Sequence, residues 1–129
     1  MAKHEEKDVC GKFGKILPIR LPTNTDMISS IKKACADNGI RHGVILGAVG
    51  SLRKLTIIIP VPSERLSGSA PSEPLVIPGP LQVLSLVGTI FETQAGEIDV
   101  HIHGSFVDQH AKVHGGHPVE GGSPIAARL

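Results

Sequence analysis

Apolar positions change period along this chain, and each change marks an element. "FGKILPIRL" (13–21) has the apolar content of a strand, with Pro18 marking an edge or a bulge. In "PTNTDMISSIKKACADNGI", Met27, Ile28, Ile31, Ala34 and Cys35 recur at helical spacing and form one stripe of an amphipathic helix. Asn24 or Thr25 can cap its start, and Asp26 suits the positive end of the helix dipole. Asn38-Gly39 is a stop, because glycine accepts the left-handed conformation that follows a last turn. "HGVILGAVGSLRKLTIIIPVP" then reads as two β-rich runs around Gly47 to Ser51, and 63–80, rich in Pro, Ser and Gly, reads as mostly loop.

"LQVLSLVGTIF" (81–91) is a strand with apolar residues on both faces, Val83 and Val87 on one, Leu84, Leu86 and Ile90 on the other. Such a strand must be covered on both sides, by its own domain or by another subunit. "ETQAGE" is a turn, "IDVHIHGSFVD" a further strand, and "AKVHGGHPVEGG" a short strand breaking into glycine turns. The order β-α-β-β-β-β places the chain in the α+β class, a mainly antiparallel sheet with one packed helix. A single domain is expected over 12–129, behind a flexible polar lead over 1–11.

Composition narrows the function. The chain has 129 residues, 40% of them hydrophobic, which suits one globular core. Lys plus Arg is 13 against 12 Asp plus Glu, there is no Trp or Tyr, and Phe occurs three times. Strong backbone-charge binding to DNA and aromatic stacking on bases are both disfavoured. Lys12, Lys15, Arg20, Arg41, Arg53 and Lys54 make a basic patch only if folding gathers them. Cys10 and Cys35 lack metal or redox spacing and read as reduced thiols, Cys35 half-buried on the helix. No apolar leader and no apolar run long enough to cross a bilayer is visible, so no membrane partner is expected and a cytoplasmic location is. Gly43, Gly47 and Gly50 match no phosphate-loop spacing and are expected to serve a bend where backbones pack closely.

The chemistry concentrates near the C-terminus. Five of the seven histidines, His101, His103, His110, His114 and His117, lie within "EIDVHIHGSFVDQHAKVHGGHPVEGG". With a period of two, Ile98, Val100, Ile102 and Phe106 face one way, and Glu97, Asp99, His101, His103 and Ser105 the other. Two imidazoles at i and i+2 can share one metal ion, and an antiparallel hairpin would supply a third. His117 is the choice, turned inward by Gly115-Gly116, with His114 as the alternative and His110 a solvated turn residue. Three neutral imidazoles suit zinc or another transition metal and leave a position open. The same pattern also fits a polar face that only hydrogen-bonds.

"GVILGAVGSLRKLTI", "GPLQVLSLVGTI", "VHIHGSF" and "VHGGHPVEGG" together resemble the plants-and-prokaryotes-conserved (PPC) domain family. That family shows a helix ending in "GI", a glycine-rich strand pair, "LSLxG", "HxH" and then "GGHxxEG". The resemblance spans roughly 12–124 of the chain. It implies an α+β fold, a homotrimer, and a metal held by the histidines matching His101, His103 and His117, with Glu120 at the family's acidic position. Plant members carry an AT-hook and bind DNA in the nucleus, whereas stand-alone prokaryotic members are usually called predicted DNA-binding proteins. This chain has no AT-hook, and "SPIAARL" leaves little room for the strand that usually follows.

Three functions follow as expectations: a zinc-binding trimer with a weak DNA-binding or transcription-regulatory role, a small His₃ metal-dependent enzyme with Glu120 or Asp99 as general base, and an assembly module whose histidines only tie strands together. No nucleophile elbow or phosphate loop is present, so a binding protein is favoured over an enzyme.

Overall fold

The computed structural model describes residues 8–66 and 68–127. Among the described residues, seven strands and one helix follow in the order α1 (Met27–Asp37), β1 (Gly43–Ile45), β2 (Gly50–Ile58), β3 (Pro60–Ser63), β4 (Gly68–Pro71), β5 (Leu75–Glu92), β6 (Ile98–Asp108) and β7 (Val113–Pro118). All pairings between them are antiparallel. Strand β5 is the spine. Its first half pairs with β2, its second half with β1, and its other edge with β6. Because β7 joins β2 to β6, the β5–β6 pairing closes a ring of β5, β2, β7 and β6. Hairpin β3–β4 stands apart as a two-stranded ribbon.

The core lies between this ring and α1. Met27, Ile28, Ile31 and Cys35 are buried from the helix stripe, against Leu52, Leu55, Leu81, Leu86, Ile102 and Phe106 from the strands. Asp26 caps α1 by accepting from the Ser29 N–H at 3.0 Å, and its second oxygen accepts from the Ser123 N–H at 3.1 Å. Burial works against this carboxylate, but the N–H donors of Ser29, Gly121 and Ser123 outweigh it and hold its pKa below 3.8. Asp26 thus ties the helix start to the segment behind β7, which also bridges Asp26 to Pro124 and Leu52 to Ile125. Asp26→Ala is expected to cost about 1–2 kcal/mol. Urea unfolding should show a lower midpoint with an unchanged slope; an unmoved midpoint would contradict the cap.

Several sequence expectations change. Residues 13–21 form no strand: Phe13 and Ile16 are 81% and 78% exposed, Leu21 is buried in the core and Ile19 packs against it. Pro18 lies within the segment and Pro22 follows it, and without an N–H each interrupts a ladder. The flexible lead over 1–11 falls largely outside the described residues, and 8–11 are exposed without regular structure. Asp26, not Asn24 or Thr25, is the cap, with Asn24 in the left-handed region at φ 66°. Gly39 takes φ 69° after the helix, as its stop position requires. Between β1 and β2 a side chain at Gly47 would meet nothing, so close packing does not require glycine there.

The expected loop over 63–80 contains β4 and the first six residues of β5. Its prolines alternate with apolar residues in a strand that has β2 on one edge, so pairing overrides the loop-like composition. In β5 the register shifts between Val83 and Ser85, leaving Leu84 as an extra residue. The bulge changes the phase of the alternation. Val83, Leu86 and Ile90 therefore all face the core, while Leu84 and Val87 point outward at 52% and 53% exposed. The two-sided apolar character is real, but its division between faces differs from a strict period of two.

Candidate metal centre

Strand β6 keeps its alternation throughout. Ile102 and Phe106 are buried, and His101 and His103 project from the opposite face. Across β5 they stand opposite Thr89 and Val87. On the other edge, β7 pairs Gly116 with Gly104, and one step along the same register His117 faces His103. His117 is also paired with Ile58 of β2. The closed ring therefore brings the third imidazole to the first two.

The histidine expected to turn inward on glycines arrives differently. Gly115 and Gly116 lie inside β7, in extended pairing with Ser105 and Gly104. Strand register, not a turn, positions His117. Gly116 packs closely: a Cβ there would sit 3.0 Å from the Ile58 carbonyl oxygen and 3.2 Å from the Ile57 side chain.

The three rings meet edge to face, with centroids 4.9 Å (His101–His103), 5.2 Å (His101–His117) and 5.7 Å (His103–His117) apart. One ligand nitrogen from each lies within 4.8 Å of the others, and the Nε2 atoms of His101 and His103 are 3.2 Å apart. Tetrahedral zinc with bonds of about 2.0–2.1 Å wants nitrogens roughly 3.3 Å apart. The closest pair meets this spacing, and small side-chain rotations bring in the third. Burial, followed by repulsion from His101 and His103, holds the His117 pKa below 6.5, which keeps its lone pair available at neutral pH. The donor set fits a borderline transition-metal ion.

His114 and His110 lie elsewhere. His114 sits on the core side opposite Phe106, with its Nε2 2.9 Å from Asp108 Oδ2. Hydrogen bonds from His114 and from the N–H groups of Lys112 and His110 hold Asp108 at about 2. His114 is therefore occupied in closing the β6–β7 hairpin, and His110 is exposed in its turn.

Asp99 and Glu120, the candidate bases, both face α1. Lys32 Nζ lies 3.1 Å from Glu120 Oε2 and 3.6 Å from Asp99 Oδ1, and Ser29 Oγ donates to Glu120 Oε1 at 3.1 Å. The hydrogen bond to Glu120 leads the effects that raise the Lys32 pKa. Lys32 escaped the sequence reading, although it lies one turn after buried Ile28 and so on the packed side of the helix. A cleft of about 290 Å³ is lined by Asp99, His101, His117, Glu120, Ile28 and Phe91 among others.

Among the described residues no helix is long and apolar enough to cross a membrane. Of the six basic residues, Arg41 pairs with Glu92, Arg53 donates to Asn24 at 2.6 Å and Lys15 to the Asn38 carbonyl at 2.9 Å.

The profile of the Plants and Prokaryotes Conserved (PCC) domain, the family abbreviated PPC above, matches residues 9–128. No curated protein matches. Among solved structures, a plant- and prokaryote-conserved protein from Pyrococcus horikoshii is similar, with a TM-score of 0.69, 26% identity, and coverage of 85% of this chain and 71% of that one. A candidate DNA-binding protein from Bacteroides thetaiotaomicron has a TM-score of 0.68 at 16% identity, covering 84% and 70%. A metal-containing protein from Archaeoglobus fulgidus has a TM-score of 0.65 at 23% identity, covering 85% and 71%.

Proposed function

The chain belongs to the Plants and Prokaryotes Conserved domain family, and from that premise we propose that it is a zinc-binding, homotrimeric member with a DNA-binding or transcription-regulatory role. The convergence of His101, His103 and His117 from two paired strands carries the metal assignment. The structural likeness to a metal-containing archaeal protein supports it. When bound, zinc would supply a Lewis acid held by His101, His103 and His117. The chain's own contribution is a set of imidazoles fixed by strand register and a cleft beside them.

The trimer rests on the outer surface of the sheet. Leu84 and Val87 on β5, with Val44, Leu46 and Val49 at or after β1, leave large apolar side chains in water in a single chain. Exposed apolar surface of this kind marks an interface.

The DNA role rests on the likeness to the Bacteroides protein, and charge limits it. With 13 Lys plus Arg balanced by 12 Asp plus Glu and Arg41 paired with Glu92, little net positive charge per subunit is left to displace counterions from phosphate. Binding to A·T-rich and mixed duplexes is expected to be weak, barely selective and lost on moving from low to physiological salt. Fluorescence anisotropy at two salt concentrations measures it. Tight, sequence-selective binding at physiological salt would contradict the charge argument, and no binding even at low salt would remove the DNA role.

A second reading, a small metal-dependent hydrolytic enzyme, is favoured by one observation: the cleft places two carboxylates beside the triad. In that reading Glu120 or Asp99 accepts a proton. Turnover of ester or phosphoester substrates by the zinc-loaded protein, absent in His103→Ala, would select it.

A further inference from the structure

The carboxylates beside the histidine triad are not free. Asp99 lies two residues before His101 on the same strand face, and its Oδ1 already accepts the Val100 N–H at 2.8 Å. Glu120 follows His117 by three residues, and its side chain is 47% exposed. Its carboxylate is restrained by α1, through Lys32 Nζ at 3.1 Å and Ser29 Oγ at 3.1 Å. Both carboxylates share one cleft with His101 and His117. A flexible carboxylate next to a dication on three imidazoles is drawn to complete the coordination shell, because His₃-carboxylate is a complete tetrahedral set.

We infer that Lys32 is a positioning residue that keeps the fourth side of the triad open, by holding Glu120 on the helix. The inference rests on the metal-binding reading above. The Lys32 side chain is 28% exposed and holds Glu120 by a direct hydrogen bond as well as by charge, although water reaches the pair and screens it in part. The ammonium also offsets part of the acidic charge beside the ion. Lys32 belongs to α1 while the ligands belong to β6 and β7, so the packing of the helix on the sheet sets whether a small external ligand can reach the metal.

The test uses Co²⁺ as the probe, because its visible absorption reports ligand number, and azide as the external ligand, on the full chain. The parent is expected to bind Co²⁺ and to shift its spectrum on azide addition. Lys32→Met should still bind Co²⁺, but with an azide response weakened roughly ten- to a hundredfold, the range for changes around a metal shell. Lys32→Arg, which keeps the cation, should respond like the parent. The double variant Lys32→Met, Glu120→Gln should regain the response, which general misfolding would not allow. Lys32→Met titrating like the parent, or no recovery in the double variant, would overturn the inference. A parent that binds Co²⁺ but ignores azide would also overturn it while leaving the metal reading intact. A parent that takes up no Co²⁺ would overturn both.

Discussion

His103→Ala is expected to strip most of the metal from the purified, zinc-loaded protein. His103 stands opposite Val87 on one strand and one register step from the Gly104–Gly116 pair on the other. Its Nε2 is the nitrogen closest to that of His101, at 3.2 Å. Without it, two imidazoles remain, and the loss of a direct ligand exceeds the roughly 10–100-fold that outer partners are worth. His110→Ala should retain full metal, because His110 is exposed in the hairpin turn. His114→Ala should retain it too, since His114 is engaged with Asp108. Elemental analysis of the parent and three variants decides the matter. Equal metal in all, or none in the parent, would reduce the triad to a polar face. Protons compete for the same lone pairs, and burial holds the His117 pKa below its ordinary value, so affinity should fall only as the solution is made acidic.

Leu84→Asp is expected to turn the proposed trimer into monomers. Leu84 is the extra residue of the β5 bulge and stands 52% exposed on the outer sheet surface. Inside an apolar contact between subunits, an unpaired carboxylate would cost several kcal/mol per subunit. Outside such a contact it would cost almost nothing, because water solvates it. Light scattering at micromolar concentration should report three chains for the parent and one for the variant, with the circular dichroism unchanged. A monomeric parent, or a variant that keeps three chains, would remove the sheet surface as the interface. Leu84 does not approach the core, so a misfolded variant is not the expected outcome.

The strands that carry the site were legible because their signal is local. A period of two along 98–106 requires only that each residue alternate, and it placed His101 and His103 together on one face. The helical stripe from Met27 to Cys35 and the Asn38-Gly39 stop are local in the same sense, and the structure keeps both. Capping was less clear, because Asn24, Thr25 and Asp26 are all capping residues. Only the contact with Ser123, far along the chain, distinguishes Asp26. The strand expected over 13–21 failed for the complementary reason: apolar content makes a strand possible, but a ladder needs a partner with free backbone groups.

By itself, then, the sequence determined the α+β class, the helix and the two-faced histidine strand. Each depends on side-chain alternation or spacing within a dozen or so residues. The tertiary structure decided the rest. It closed the β5, β2, β7, β6 ring, so that His117 arrives by register and not by a glycine turn. It inserted Leu84 as a bulge and thereby sorted the apolar side chains of β5 between core and surface. It also set Lys32 between Asp99 and Glu120, residues 67 and 88 positions away in the chain. These are pairings between distant segments, chosen by which faces bury the most apolar surface together, and that competition leaves no periodic trace along the chain.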